Sequence, residues 1–300
     1  MVDCPWDAYT AHSWRGKLFA PLAWWRMRRT LARTPFAIYV TERFLQRRYP
    51  TRGHAAVASN VTLSGRAAGE PAPRSGTVAD RAVSVGGEGD ASSLRPGAAV
   101  GGGSSIGSWP AEGELRVGLI GNCDVPLKGH RVLLEAVAGL ASRFPGARLV
   151  FIGGGERGEL ERAARRHGLL GRLEFAGRVP AGEPLLACLD GLDVYVHPSF
   201  KEGLPRAVIE AMSRGRAVLA SRAGGTGELL GEERLHAPGD AATLAEQLAE
   251  LLGDAPLRER LGRENRAVAE RYSPAALAER RRAFWGEFAA YCRTRIRTGG

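Results

Sequence analysis

Lysine is nearly missing from this 300-residue chain. Only Lys17, Lys128 and Lys201 occur, so 39 of the 42 basic residues are arginine. A GC-rich genome explains the bias, and against it a retained lysine is informative, because lysine is a compact point charge on a flexible stem. Cysteine is scarce too. Cys4, Cys123, Cys188 and Cys292 form no CxxC pair and join no His/Cys cluster. That pattern excludes a zinc site and a disulfide scaffold, and predicts four free thiols in a reducing compartment, with no metal bound. Long apolar runs are absent as well, which excludes a membrane-spanning helix. The start, MVDCPWDAYT, shows no basic segment leading into an apolar core, so no signal peptide is expected and a cytoplasmic location is predicted.

What is present is ordinary globular composition, 44% apolar and 25% charged. It excludes a collagen, a coiled coil and a fully disordered chain, and allows one or two domains. The net charge of +10 is unevenly placed: residues 1–63 carry +7, residues 64–113 carry −1 and the remainder +4. The excess is therefore mostly N-terminal. With no recognition helix, zinc finger or stacking motif, it does not indicate a nucleic-acid partner.

Residues 64–113 divide the chain. Of these 50 residues, 24 are Gly, Ser or Pro and the only aromatic is Trp109. Such a stretch buries too little apolar surface to offset its ordering entropy and is predicted to be a disordered linker. Beyond it the pattern becomes regular. Strands are expected at 115–120, 148–153, 173–175, 193–199 and 216–221, with a short one near 234–237. Helices are expected at 130–144, 159–168, 183–189 and 205–215, followed by three more to the C-terminus. Alternation of this kind means an α/β fold with a Rossmann-like parallel sheet covered on both faces. Ligands of such folds bind outside the carboxyl ends of the strands. That places 121–128, 153–158, 177–180, 199–205 and 222–226 around one crevice.

Two motifs compete for the function. Gly153-Gly154-Gly155-Glu156-Arg157-Gly158 matches the dinucleotide pattern GxGxxG, with Glu174 in the next strand, 21 residues on, where a ribose-binding acid is expected. Against it, Glu156 brings a negative charge to the pyrophosphate, and the turn follows the second strand rather than the first. A tight cofactor-free turn and an NAD(P)-binding oxidoreductase both remain open. The other motif is Ser199–Gly215, SFKEGLPRAVIEAMSRG, in which seven residues separate Glu202 from Glu210. Pro205 starts a helix, so Glu202 sits in the loop before it and Glu210 about a turn and a half inside. The N–H groups of Gly203 and Leu204 and the helix dipole suit a diphosphate, and Glu210 is placed to accept sugar hydroxyls. The competing reading is an amphipathic helix with acids near its N-terminus.

LIGNCDVPLKGH, LVFIGGGERGELERAARRHGL, LEFAGRV, DVYVHPSFKEGLPRAVIEAMSRG and the GGTGE turn together resemble the donor-binding C-terminal domain of family 4 of the retaining glycosyltransferases, which have the GT-B fold. The resemblance implies a nucleotide-diphosphate-sugar donor, a saccharide or lipid-linked acceptor hydroxyl, no separate cofactor, and a role in cell-surface polysaccharide or glycolipid assembly. It implies that Glu202 contacts the transferred sugar and Lys128 neutralises the leaving diphosphate. Backbone groups of Gly203 and Leu204 would meet the phosphates, Glu210 the ribose and Val179 the base, with Pro205 and Asn122 also at the donor site. Asn122 stands where the family usually has an arginine, six residues before its lysine. The family's glycine-rich turn also accounts for the GxGxxG match without NAD.

Residues 114–275 are thus expected to be the nucleotide-sugar domain, and 276–300 a helix crossing back to the N-terminal part; if that part is incomplete, Phe284, Trp285, Phe288 and Tyr291 are expected to form an exposed stripe. Residues 1–63 resemble only the closing units of the family's acceptor-side domain. A mis-set start, a truncation, a binding-only protein or a partner chain supplying the rest would each explain that. The aromatic and basic segment 14–33 reads either as a contact for anionic lipid or as a helix packed within its own domain and interrupted by Pro21.

Overall fold

The computed structural model describes residues 14–61, 63 and 114–297, and the predicted linker 64–113 lies outside them. Among the described residues, eight strands form two parallel sheets. The small one pairs β1 (Phe36–Tyr39) with β2 (His54–Val57), from Phe36↔His54 to Tyr39↔Val57, around α2 (Phe44–Arg48). The large one contains β3 (Leu115–Ile120), β4 (Ala147–Ile152), β5 (Leu173–Gly177), β6 (Val194–His197), β7 (Ala217–Ser221) and β8 (Leu235–His236), in the spatial order β5-β4-β3-β6-β7-β8. All its pairings are parallel. Numbered within the domain this is 3-2-1-4-5-6, the doubly wound order with a switch point between its first and fourth strands.

Burial explains why these segments became strands. Residues of β6 and β7 are buried throughout. Alternate side chains feed opposite layers: Val117, Leu119, Leu149, Phe151, Val194 and Val196 enter one core, whereas Val150, Ile152, Tyr195, Val218 and Ala220 enter the other. A strand covered on both faces reads in sequence as a continuous apolar run. The covering helices are α3 (His130–Ala138), α4 (Gly158–Arg166), α5 (Glu183–Asp190), α6 (Arg206–Ser213), α7 (Ala241–Gly253), α8 (Ala255–Ala269) and α9 (Pro274–Arg297). Asp240 and Asp254 cap α7 and α8 by accepting the N–H groups of Thr243 and Leu257. The helix expected over 130–144 ends early, at Ala138, and Leu140 reaches the core from a turn.

Three further expectations need correction. The first helix, α1 (Trp14–Arg33), runs straight through Pro21. An interior proline costs roughly 3 kcal/mol; here Ala20 is buried, and Trp24, Met27 and Leu31 pack on Tyr39, Leu45 and Tyr49, which holds the helix together. The aromatic stripe of α9 is largely covered: Phe284, Phe288 and Tyr291 each meet the ring of Phe36 at centroid distances of 5.3–5.7 Å, and only Trp285 is mostly exposed. Glu174 lies at the start of β5, away from the crevice, 3.4 Å from Arg116. Among the described residues no helix is long and apolar enough to cross a membrane. Cys123, Cys188 and Cys292 are free thiols.

Candidate donor cleft

The carboxyl ends of β3 and β6 open on a cleft of about 640 Å³. Its lining includes Gly121 and Lys128 after β3, His197 at the end of β6, Glu202 to Pro205 in the following loop, and Arg206 and Glu210 of α6. Two hydrogen bonds bring the loops together across the switch point: Phe200 N–H and Ser199 Oγ–H both donate to the Leu127 carbonyl, at 2.8 and 3.0 Å. Lys128 thereby faces Glu202.

Glu202 is the hub. Its Oε1 accepts from Lys128 Nζ and from His197 Nε2, each at 2.8 Å. His197 Nδ1 lies 3.0 Å from the Tyr195 hydroxyl. Burial pushes the Glu202 carboxyl up, but His197 and Lys128 outweigh it and hold it at about 2. Burial, reinforced by the charges of Glu202 and Glu210, pushes Tyr195 well above its ordinary value, so it stays a hydroxyl. An ionised carboxylate only accepts, so His197 presents its Nε2–H to Glu202, whose side chain lines the cleft. His130, at the start of α3, is held at about 4 by burial, against the Gly121 backbone and assisted by Lys128, so it is neutral and adds no charge beside that lysine.

Pro205 is the N-cap of α6, and among the described residues no protein acceptor takes the N–H groups of Gly203 or Leu204. Glu210 is the fifth residue of α6. Burial raises its carboxyl above the ordinary range, and Arg206 partly opposes this. Lys128 and Arg206 are the lysine and arginine side chains that line the cleft among the described residues.

Of the residues singled out in the sequence, Lys128, Glu202, Gly203, Leu204, Pro205 and Glu210 meet in this cleft. Asn122 and Val179 do not line it. Asn122 stands beside the Gly154 turn, and Val179 packs on the core layer beneath α5 and α6. Sequence reasoning missed His197 and Tyr195; the available signal was a polar residue at the carboxyl end of an otherwise apolar strand. It also missed Val40 and Asn60, which the N-terminal unit contributes.

The glycine motif has a structural explanation. A Cβ on Gly153 would lie 2.1 Å from the Gly121 carbonyl oxygen, and one on Gly155 2.4 Å from Asp124 Oδ1. These glycines let the β4 turn pack against the loop after β3. The glycines therefore have a packing role that needs no cofactor, and Glu174 is at the start of its strand rather than the end, which speaks against the dinucleotide reading.

Residues 114–254 match the protein family described as Glycosyl transferases group 1. Protein CapJ of Staphylococcus aureus is 25% identical over 91% of this chain and 61% of its own length. A phosphatidyl-myo-inositol mannosyltransferase of Mycobacterium tuberculosis is 32% identical over 58% of this chain and 47% of its own. The chain thus spans about half to three-fifths of these relatives. Among solved structures, sucrose-phosphate synthase of Thermosynechococcus elongatus superposes with a TM-score of 0.68 at 21% identity, covering 96% of this chain and 66% of that one. Anabaena HepE, in complex with UDP and glucose, gives 0.52 at 24% identity, covering 59% and 48%. Over residues 114–254 the chain therefore matches the group 1 glycosyltransferases, and its sheet is that of their GT-B fold.

Proposed function

We propose that the cleft binds a nucleotide-diphosphate-sugar and that the chain serves retaining transfer of the sugar to an acceptor hydroxyl. The observation that carries this reading is the convergence of Lys128, Glu202, Glu210 and the free N–H groups of Gly203 and Leu204 at the switch point. Lys128, the helix dipole and the two N–H groups meet the leaving diphosphate, where charge develops. Glu210 accepts the ribose hydroxyls, and Glu202 accepts a hydroxyl of the transferred sugar. A carboxyl held at about 2 has no proton to give, so Glu202 is a ligand and the paired-acid mechanism of glycosidases does not apply. The named activities of the mannosyltransferase relative and of a Rhizobium lipopolysaccharide core glycosyltransferase support an acceptor of glycolipid or surface-polysaccharide type. Calorimetric titration with UDP, GDP, ADP and NADH tests the donor assignment. One nucleoside diphosphate should bind and NADH should not; binding of NADH alone, or of none of the four, overturns it.

A membrane-borne acceptor fits the outer face of α1. Leu18, Phe19, Leu22 and Trp25 are 50–68% exposed on the side opposite Trp24, Met27 and Leu31. Arg29 stacks over Trp25 at 5.2 Å, and residues 14–33 contain no acid. Apolar side chains interleaved with arginines suit an anionic bilayer surface. The chain should sediment with phosphatidylglycerol vesicles and not with phosphatidylcholine vesicles. The double change Leu22→Glu, Trp25→Glu should abolish this, and equal binding to both lipids would refute the assignment.

A further inference from the structure

The turn after β7 carries a carboxylate that the cleft does not use. From Ser221 the chain passes through Gly224, Gly225, Thr226 and Gly227 to Glu228. The side chain of Glu228 accepts three consecutive backbone N–H groups of the N-terminal unit: Glu42 at 2.5 Å through Oε2, and Arg43 and Phe44 at 2.8 and 2.6 Å through Oε1. Converging N–H groups form a nest for an anion, and bonds to an ionised acceptor are the strong ones. The partners are 184 to 186 positions apart in the chain, so this contact joins two units that nothing local brings together.

The other side of the same turn presses on the donor loop. Gly225 N–H donates to the Gly203 carbonyl at 2.6 Å. Gly224 has a φ of +60°, and a Cβ there would stand 1.9 Å from the Glu202 carbonyl oxygen. A Cβ on Gly225 would stand 2.8 Å from Thr41 Cγ2. Glycine is needed at both positions because the turn is wedged between Glu202–Gly203 and Thr41–Phe44.

The segment that Glu228 holds is continuous with Val40, which together with Asn60 forms the N-terminal share of the cleft lining. Other ties secure that unit as a whole. Phe36 packs among the rings of α9, Arg281 donates to the Ser59 carbonyl, and Arg271 pairs with Glu42. None of these engages the amides of 43 and 44. We propose that Glu228 is a positioning residue: it pins Thr41–Phe44 to the Gly224–Glu228 turn and so fixes the N-terminal wall of the cleft against the donor loop. The inference rests on the proposed function only for what fills the cleft; the latch stands apart from it.

A second cavity, of about 460 Å³, opens on this carboxylate and is lined by Arg43, Phe44, Arg47, Gly224 and Gly227 besides Glu228. Removing the side chain therefore leaves space, with arginines around it, for a small carboxylate to enter. The test is Glu228→Ala in the full chain, read by amide hydrogen exchange and by UDP titration. Exchange at Glu42–Phe44 should accelerate by about tenfold or more while the amides of β3, β4 and β6 are unchanged. UDP affinity should fall several-fold. Acetate should restore both, and chloride at equal ionic strength should not. Glu228→Gln keeps the shape with one acceptor oxygen; it should show the same acceleration without rescue, and it serves if the alanine variant does not fold. Unchanged exchange at 42–44, or accelerated exchange that acetate does not reverse, overturns the latch. Accelerated exchange with unchanged UDP affinity overturns its role at the cleft. If the unmodified chain binds no nucleotide, the functional reading fails, and the exchange and acetate measurements still decide the latch.

Discussion

Glu210→Ala should weaken nucleoside-diphosphate binding by about 10- to 100-fold, the loss expected when hydrogen bonds to a charged acceptor are removed. The domain should remain at least as stable. Burial raises this carboxyl, so the free protein holds it in an unfavourable setting that alanine relieves. Opposite signs for binding and stability distinguish a ligand-binding acid from one that merely caps a helix. The pH dependence gives a second check. Ribose hydroxyls bond the ionised form more strongly than the protonated one, so binding lowers the raised pKa. Affinity should therefore fall as pH drops through the free protein's pKa, level off above it, and lose this acid limb in the variant. Unchanged affinity in a folded variant would remove Glu210 from the site.

Much of the sheet was legible because its strands are buried on both faces. LRVGLI and DVYVH stand out as apolar runs bounded by turn residues, and the glycines and prolines mark the helix ends. Reading failed where a local rule met a longer-range contact. Pro21 predicts a break, yet Ala20, Trp24 and Met27 pack across it. Gly153 and Gly155 match a phosphate-binding pattern, yet their missing side chains make room for Gly121 and Asp124. Glu174 sits at the right count along the chain and at the wrong end of its strand. The cleft residues were legible as types and spacings only where they fall in one segment, as Glu202 and Glu210 do. That Lys128 pairs with Glu202, and that His197 holds the same oxygen, follows from the crossover that seats β3 beside β6. No local pattern encodes that neighbourhood. Glu228 is a harder case: in sequence it ends a glycine-rich turn, and its three donors lie on the far side of the predicted linker.

Lys128→Ala should cost about 30- to 150-fold in affinity for UDP and close to nothing for uridine, since a charged contact to phosphate is worth about 2–3 kcal/mol and the nucleoside offers none. The lysine is the better test of the two cations because it also bonds Glu202, so its loss has a structural signature. The Glu202 carboxyl, now at about 2, loses one of the two partners that oppose burial and should move upward, with His197 still holding it. A sugar hydroxyl would then meet a less firmly placed acceptor. UDP-sugar should therefore lose at least as much affinity as UDP. Lys128→Arg should recover only part of the loss, because a wide planar guanidinium does not reproduce the compact point charge of the ammonium. Equal losses for UDP and uridine would mean that the side chain supports the cleft without touching the diphosphate, and the leaving-group role would pass to Arg206, the other such cation in the lining.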